Sequence, residues 1–449
     1  MIVENDYCIG CGICAGICPA HVLEMKFNGF GEYQPVEIKE GCLPKCELCL
    51  CGCPFWNQAE NEDTLAKAAF GNLPGTKHTN ETGYYLESFV GYSNVDGHRT
   101  NGASGGMATW LLETLLDEKL VDYIICVTPN QDPLKLFKYS VEEIRSASRS
   151  CYYPVELSEV IDYILHNAGR YAITGLPCFL KGLRLAMRQN KRLRERLVYL
   201  IGLTCGQTQS KHFSEYLCAL AGGVPASLTE IKFRVKDQNR PASDYGFRFY
   251  CKQGETTQGE VYWKSGMAEV WQDAYFTPNA CLYCDDVFAE TADIVFMDAW
   301  LPEYQLNPLG NNIFQVRSDK LLSLIKSGND LGKISVSLID QQKVILSQYG
   351  LIKKKQGNLA CRLLFNQERK KYYPTKRVLK NKSQVFIYIL IRLSEEIRKT
   401  GRTEWPQNHK VLLKERKIIF LKYCMALVYK IYFFYSMITH KSLSSIGEY

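Results

Sequence analysis

Cys8-Ile-Gly-Cys-Gly-Ile-Cys-Ala-Gly-Ile-Cys-Pro19 and Cys42-Leu-Pro-Lys-Cys-Glu-Leu-Cys-Leu-Cys-Gly-Cys-Pro54 decide how this chain begins. The first is C-x2-C-x2-C-x3-C-P, a run in which three thiolates hold one [4Fe-4S] cube and the fourth reaches to a second. The second repeats it with one extra residue in its first interval. Crossed pairing then assigns Cys8, Cys11, Cys14 and Cys53 to one cube, and Cys18, Cys42, Cys46 and Cys49 to the other. Cys51 stands between ligands and replaces Cys49 or Cys53 if the register shifts by two. Structural zinc would use C-x2-C pairs, and disulfides would need a secreted chain. Neither predicts two C-x3-C-P endings.

The stretch resembles a two-cluster ferredoxin domain, which places residues 1-60 in a small electron-transfer module. The remaining length, of 449 residues in all, allows one or two further domains, and 46% apolar residues suffice for a sizeable core. The first residues lack a basic segment followed by an apolar one, so the expected location is cytoplasmic, with reduced cysteines. Charge is unevenly spread. From Leu351 onward 22 Lys and Arg face 6 Asp and Glu, so the net +7 divides into +16 there and −9 before it. That asymmetry implies two partners, one for each end.

Residues 61-84 are rich in Asn, Glu, Gly and Thr and read as a linker. From residue 85 short apolar runs alternate with amphipathic stretches, the pattern of an α/β domain. Strands are expected at 88-92, 123-127, 171-175, 199-203, 230-235, 246-251 and 293-297. Helices are expected at 107-118 and near 156-166, 179-190 and 210-221. Between the first strand and first helix lies Asn101-Gly102-Ala103-Ser104-Gly105-Gly106, a small-residue loop whose backbone can approach a phosphate at the helix start. Cys178 and Cys205 each follow a strand, and Cys281 and Cys284 form a C-x2-C. These four either close a third thiolate site or, like Cys126, Cys218 and Cys251, are small buried residues.

The order of Asn101 to Gly106, Gly175-Leu-Pro-Cys178, Gly202-Leu-Thr-Cys205, Phe233-Arg234, Cys281-Leu-Tyr-Cys284, Ala292-Asp-Ile294 and Asp298-Ala-Trp300 resembles the coenzyme F420 hydrogenase/dehydrogenase beta-subunit family. That family includes 7-hydroxymethyl chlorophyll a reductase. The resemblance spans about residues 85-320. It implies a domain binding FAD and a [4Fe-4S] cluster, with Cys178, Cys205, Cys281 and Cys284 as ligands and Asn101 to Gly106 at the flavin. Ser150, Tyr152 and Asp298 become further pocket residues, Trp300 a neighbour; no side chain stands out as a general acid or base. Where the family carries a Gly-Ser-Lys-Tyr-like segment, this chain has Arg149-Ser150-Cys151-Tyr152, so Arg149 or another cation must replace the lysine.

The implied activity passes electrons from a low-potential, ferredoxin-like donor through the clusters to FAD and on to a two-electron acceptor. The reverse, oxidation of reduced coenzyme F420, fits equally. The alternative is a non-catalytic electron-transfer subunit of a larger complex. Residues 321-449 form a basic, mostly helical region, with helices expected at 385-398 and 418-438. Lys422 and Lys430 inside the second oppose a membrane span. The open readings are a helix lying on a membrane surface with its lysines toward headgroups, docking on a protein, or plain packing. No nucleic-acid-binding module is recognisable.

Overall fold

Four strands expected from their apolar runs, Tyr123–Pro129, Tyr171–Gly175, Leu197–Leu203 and Ile294–Asp298, lie side by side and parallel in the computed structural model. The structure describes residues 1-439 apart from 131, 133, 142, 143, 148, 254, 380-384 and 410-414, with backbone alone at 253, 255, 256, 385 and 434-439. The parallel strands are covered on both faces, which is why they read as nearly continuous apolar runs. Phe137–Val141 pairs antiparallel at one side. Asn312–Val316, Glu87–Ser93 and Ile334–Leu338 follow antiparallel on the other, making eight strands. Phe137–Val141, Asn312–Val316 and Ile334–Leu338 are missing from the sequence-derived set. Each has five residues, too few to show a period. The last carries the central domain beyond the expected boundary at 320.

One face of the sheet packs helices Ser158–His166 and Pro177–Gln189 through Ile161, Leu180 and Leu183. The other packs Met107–Asp117 and Asp319–Asp330 through Leu111, Leu115, Leu321 and Ile325. A three-stranded antiparallel sheet, Leu228–Val235, Gly246–Gln253 and Glu255–Tyr262, builds a second core from Phe233, Phe247 and Phe249 with Phe213 and Tyr216.

The amino-terminal module folds its two cysteine runs around the hairpin Leu23–Phe27/Tyr33–Glu37 and inserts Ile13 and Ile17 into the first core. Contact is close. A Cβ on Gly182 would collide with Ile13 Cδ1 and stand 3.2 Å from the Gly52 carbonyl oxygen. Gly182→Leu should therefore destabilise the protein by about 1-3 kcal/mol through overpacking. Thermal melting checks this, and an unchanged midpoint would show that the module can shift to make room.

Residues 61-84, expected as a linker, instead carry helix Glu62–Phe70 and hairpin Lys77–Thr79/Gly83–Tyr85. Leu65, Ala66 and Phe70 are buried, and the Glu62 carboxylate meets the Lys181 ammonium at 3.2 Å. The segment fastens the module to the central domain.

The basic carboxyl-terminal region turns much of its charge inward. Arg402 grips Asp6 and Glu32 at 2.8 and 2.6 Å. Arg377 binds Glu290 at 2.7 Å and Asp63 at 2.6 Å, and Lys376 faces Asp285 at 3.5 Å. The acidic partner implied by the charge split is thus in large part the chain's own first 350 residues. Two long helices follow, Val385–Asn408 and Arg416–Thr439. Among the described residues no helix is long and apolar enough to cross a membrane.

Candidate functional site

Adjacent parallel strands bring sequence-distant residues to one edge, because their carboxyl ends lie in register. Gly175 pairs with Gly202, and Leu203 with Phe296. Cys178 in the first turn of Pro177–Gln189, Cys205 just past Leu203, and Asp298 at the end of its strand therefore share the edge where open α/β sheets bind ligands. Cys281 and Cys284 arrive from the 3-10 turn Asn279–Tyr283.

The four thiols interact. Burial, then the charges of Cys284, Cys205 and Cys281, push Cys178 well up. Burial pushes Cys205 up to about 11, with the Lys355 cation opposing. Burial and then Cys205 bring Cys281 to about 12. Burial disfavours the charged form of such thiols, and they become ligands when metal displaces their protons. Among the described residues no three His, Cys, Asp or Glu side chains close on a single metal ion. A cube, which gives each thiolate its own iron, requires a wider arrangement. The surroundings suit one. The Thr208 N-H points at Cys281 Sγ at 3.4 Å, and Lys355 places Nζ 3.2 Å from Cys284 Sγ. Hydrogen bonds and a cation at sulfur stabilise a negatively charged cluster.

Lys355 stands in a π-helical stretch, Lys353–Gly357. Burial disfavours its charge, but the thiolates, Cys284 foremost, outweigh that and raise its pKa. The sequence reading missed it, since Lys353-Lys354-Lys355 looks like any solvated basic run.

In the amino-terminal module the thiols lie close enough to act on one another's charge. Cys14, Cys53 and Cys8 all act on Cys11, whose pKa is raised by burial first. Cys46, Cys18 and Cys42 act on Cys49, again after burial. Cys51 is not among the principal neighbours of Cys49 or Cys53. Cys42 is exposed; Cys49 acts on both Cys14 and Cys53; and Cys8, Cys53, Cys178 and Cys284 border one apolar cluster with Phe55, Leu282 and Leu359.

Beyond Cys205 opens a cavity of about 640 Å³, with Cys205 itself in the wall. Gly102, Ala103, Ser104 and Gly106 also line it, as do Ser150, Tyr152, Asp298 and Trp300. Asn101 and Gly105 are not part of the lining. Asn101 ends the short helix His98–Asn101. A Cβ on Gly105 would stand 2.7 Å from the Gly91 carbonyl oxygen, so that glycine serves packing. Gly106 has φ +77°, which a side chain rarely adopts, and starts the helix whose first turn reaches the cavity at Ala108 and Thr109. Lys236 secures the loop by donating to the carbonyls of Arg99, Ser104 and Leu309, the last two at 2.7 Å.

Two features of the wall point to a polar ligand. The amide nitrogen and oxygen of buried Gln209 and the Thr204 hydroxyl have no hydrogen-bond partner, and unsatisfied buried groups in a native protein require an explanation such as an absent ligand. Arg234, at φ +55°, lies 3.8 Å over the Tyr245 ring and donates to Asp298 at 2.9 Å. Burial opposes its charge, yet Asp298 and the tyrosines hold its pKa high. With Arg149 also in the wall, the cavity has cations despite Cys151 at the family's lysine position. Burial pushes the Cys151 thiol to about 12, which fits a packing role and not a reactive one. Cys126, Cys218 and Cys251 are buried, the last two with sulfurs 3.4 Å apart.

Cysteine runs at the amino end of this mixed α/β fold fit an iron-sulfur electron-transfer protein, and residues 1-24 match the 4Fe-4S binding domain. Residues 88-162 and 168-342 match the amino- and carboxyl-terminal models of the coenzyme F420 hydrogenase/dehydrogenase beta subunit. The chain belongs to that family. No curated protein matches it. Among solved structures it is similar to a chain of the F420-reducing [NiFe] hydrogenase complex from Methanosarcina barkeri. The identity is 16% over 66% of this chain and 95% of that one, with a TM-score of 0.48.

Proposed function

We propose that this chain is an FAD-dependent iron-sulfur oxidoreductase that passes electrons between a low-potential, ferredoxin-like partner and a two-electron substrate. The observation that carries the reading is Cys205, which belongs both to the third thiol set and to the wall of the cavity. A [4Fe-4S] cluster on Cys178, Cys205, Cys281 and Cys284 would thus border whatever the cavity holds. The module's cubes would sit on Cys8, Cys11, Cys14 and Cys53, and on Cys18, Cys42, Cys46 and Cys49. The exposed Cys42 marks the end open to an electron-transfer partner.

Residues suited to FAD are Gly102 to Ser104 and Gly106 before the helix, with Ser150, Tyr152 and Asp298 in the same cavity wall. Bound there, FAD supplies the exchange between single electrons and electron pairs. The protein's share is placement and charge. The helix start offers N-H donors to a pyrophosphate, and Arg234 and Arg149 favour negative charge within the cavity. Thr204 and Gln209 supply the hydroxyl and amide that are otherwise unpaired. Electron flow in the opposite sense, with reduced coenzyme F420 as donor, uses the same elements.

The test is anaerobic mixing of the purified chain with a reduced low-potential donor, then acceptors including coenzyme F420. Expected are loss of flavin absorbance on reduction and sustained turnover of one acceptor. Flavin reduction without turnover would assign the chain to a relay subunit; absence of flavin from anaerobically purified protein would remove the proposal.

A further inference from the structure

The helix Arg416–Thr439 has two unlike faces. Ile418 is fully buried, and Leu421 and Met425 pack on the second core. Between them Lys422 turns toward the domain, pairing with Glu269 and, at 2.6 Å, with Asp273. This departs from the expectation that both helix lysines face outward, and it fixes the helix lengthwise against the protein.

The other face is apolar and open. Ile419, Phe420, Tyr423, Leu427 and Ile431 are 48-69% exposed and recur at three- and four-residue steps, so they form one stripe. Arg416 and Lys417 stand exposed where the helix starts, and Lys430 is exposed within the stripe. No acidic residue occurs from Arg416 to Thr439.

We infer that this stripe seats the protein on an anionic phospholipid surface, the helix lying in the plane of the membrane. The choice of occupant follows from Lys430. Covered by an apolar protein face, an ammonium in the middle of the stripe would be desolvated without a counter-charge. At a bilayer surface the same side chain extends to lipid phosphates while its methylenes stay with the apolar residues. Phe420 and Tyr423 suit the headgroup level, where aromatic rings concentrate. The inward ion pairs of Lys422 keep the helix flat. This inference is independent of the redox proposal, since it uses none of the thiols or cavity residues.

The experiment is vesicle flotation of the full-length protein, purified anaerobically, at low and high salt. Vesicles are phosphatidylcholine alone or with phosphatidylglycerol. Binding is expected with the anionic vesicles, weakened by salt. Arg416→Glu and Lys430→Glu should each weaken it by about fivefold or more, the effect of a basic residue near a charged leaflet. Phe420→Asp with Leu427→Asp should abolish it while iron content and thermal midpoint stay unchanged, which separates loss of binding from misfolding. The inference is overturned if the wild type ignores anionic vesicles, or if the double variant binds as well as wild type. It is equally overturned if sedimentation equilibrium shows a dimer that the double variant dissolves, since a second copy would then cover the stripe.

Discussion

Replacing Cys178 and Cys281 together by serine is expected to lower the iron content from about twelve to about eight atoms per chain, because each [4Fe-4S] cube carries four irons on four thiolates. The eight remaining would belong to the two cubes of the module. Cys51→Ser should leave about twelve, and Cys49→Ser should remove about four. Iron and sulfide analysis with low-temperature electron paramagnetic resonance reads all three variants. Unchanged iron in the Cys178/Cys281 variant would falsify the third site, and loss of iron in Cys51→Ser would move the register of the second half. Lys355→Met should keep the iron but lower the reduction potential of that site. The cation 3.2 Å from Cys284 Sγ favours the more negative, reduced state.

Filling the cavity should separate flavin from iron. Ala103 lies in the wall at the helix start, so Ala103→Phe adds a ring where a ligand would pass. Flavin content should fall from about one per chain to almost none, while iron remains near twelve. Gly105 is the wrong place for this test. A side chain there meets the Gly91 backbone, and any loss would report misfolding. Arg234→Met should weaken flavin binding at least about tenfold, near 1.4 kcal/mol, with Arg234→Lys recovering part of it. Flavin absorbance after gel filtration measures both. Full retention in Ala103→Phe would place the flavin outside this cavity.

How much of the protein is legible in its sequence depends on the range over which each residue acts. The cysteine runs of the module are local, so spacing along the chain is enough to propose both crossed sets. The parallel strands also show, since burial on both faces leaves an uninterrupted apolar run. Strands such as Asn312–Val316 carry too few residues to reveal a period. The third thiol set is left open by spacing, and only family resemblance favours it. Nothing in the interval between Cys178 and Cys205 says that Gly175 and Gly202 are paired neighbours in one sheet.

The clearest division concerns charge. Sequence alone determined that the chain ends strongly basic and begins acidic, because formal charge is a count of residues. It also determined the cysteine runs, whose geometry is local. Only the tertiary structure decided where those charges go: Arg402 to Asp6 and Glu32, Arg377 to Glu290 and Asp63, Lys355 to Cys284. The same holds for the last helix, where composition counts two lysines alike and packing turned Lys422 inward and left Lys430 outside. A count has no direction, and electrostatic partners separated by hundreds of residues become neighbours only when burial of the apolar faces has set the fold.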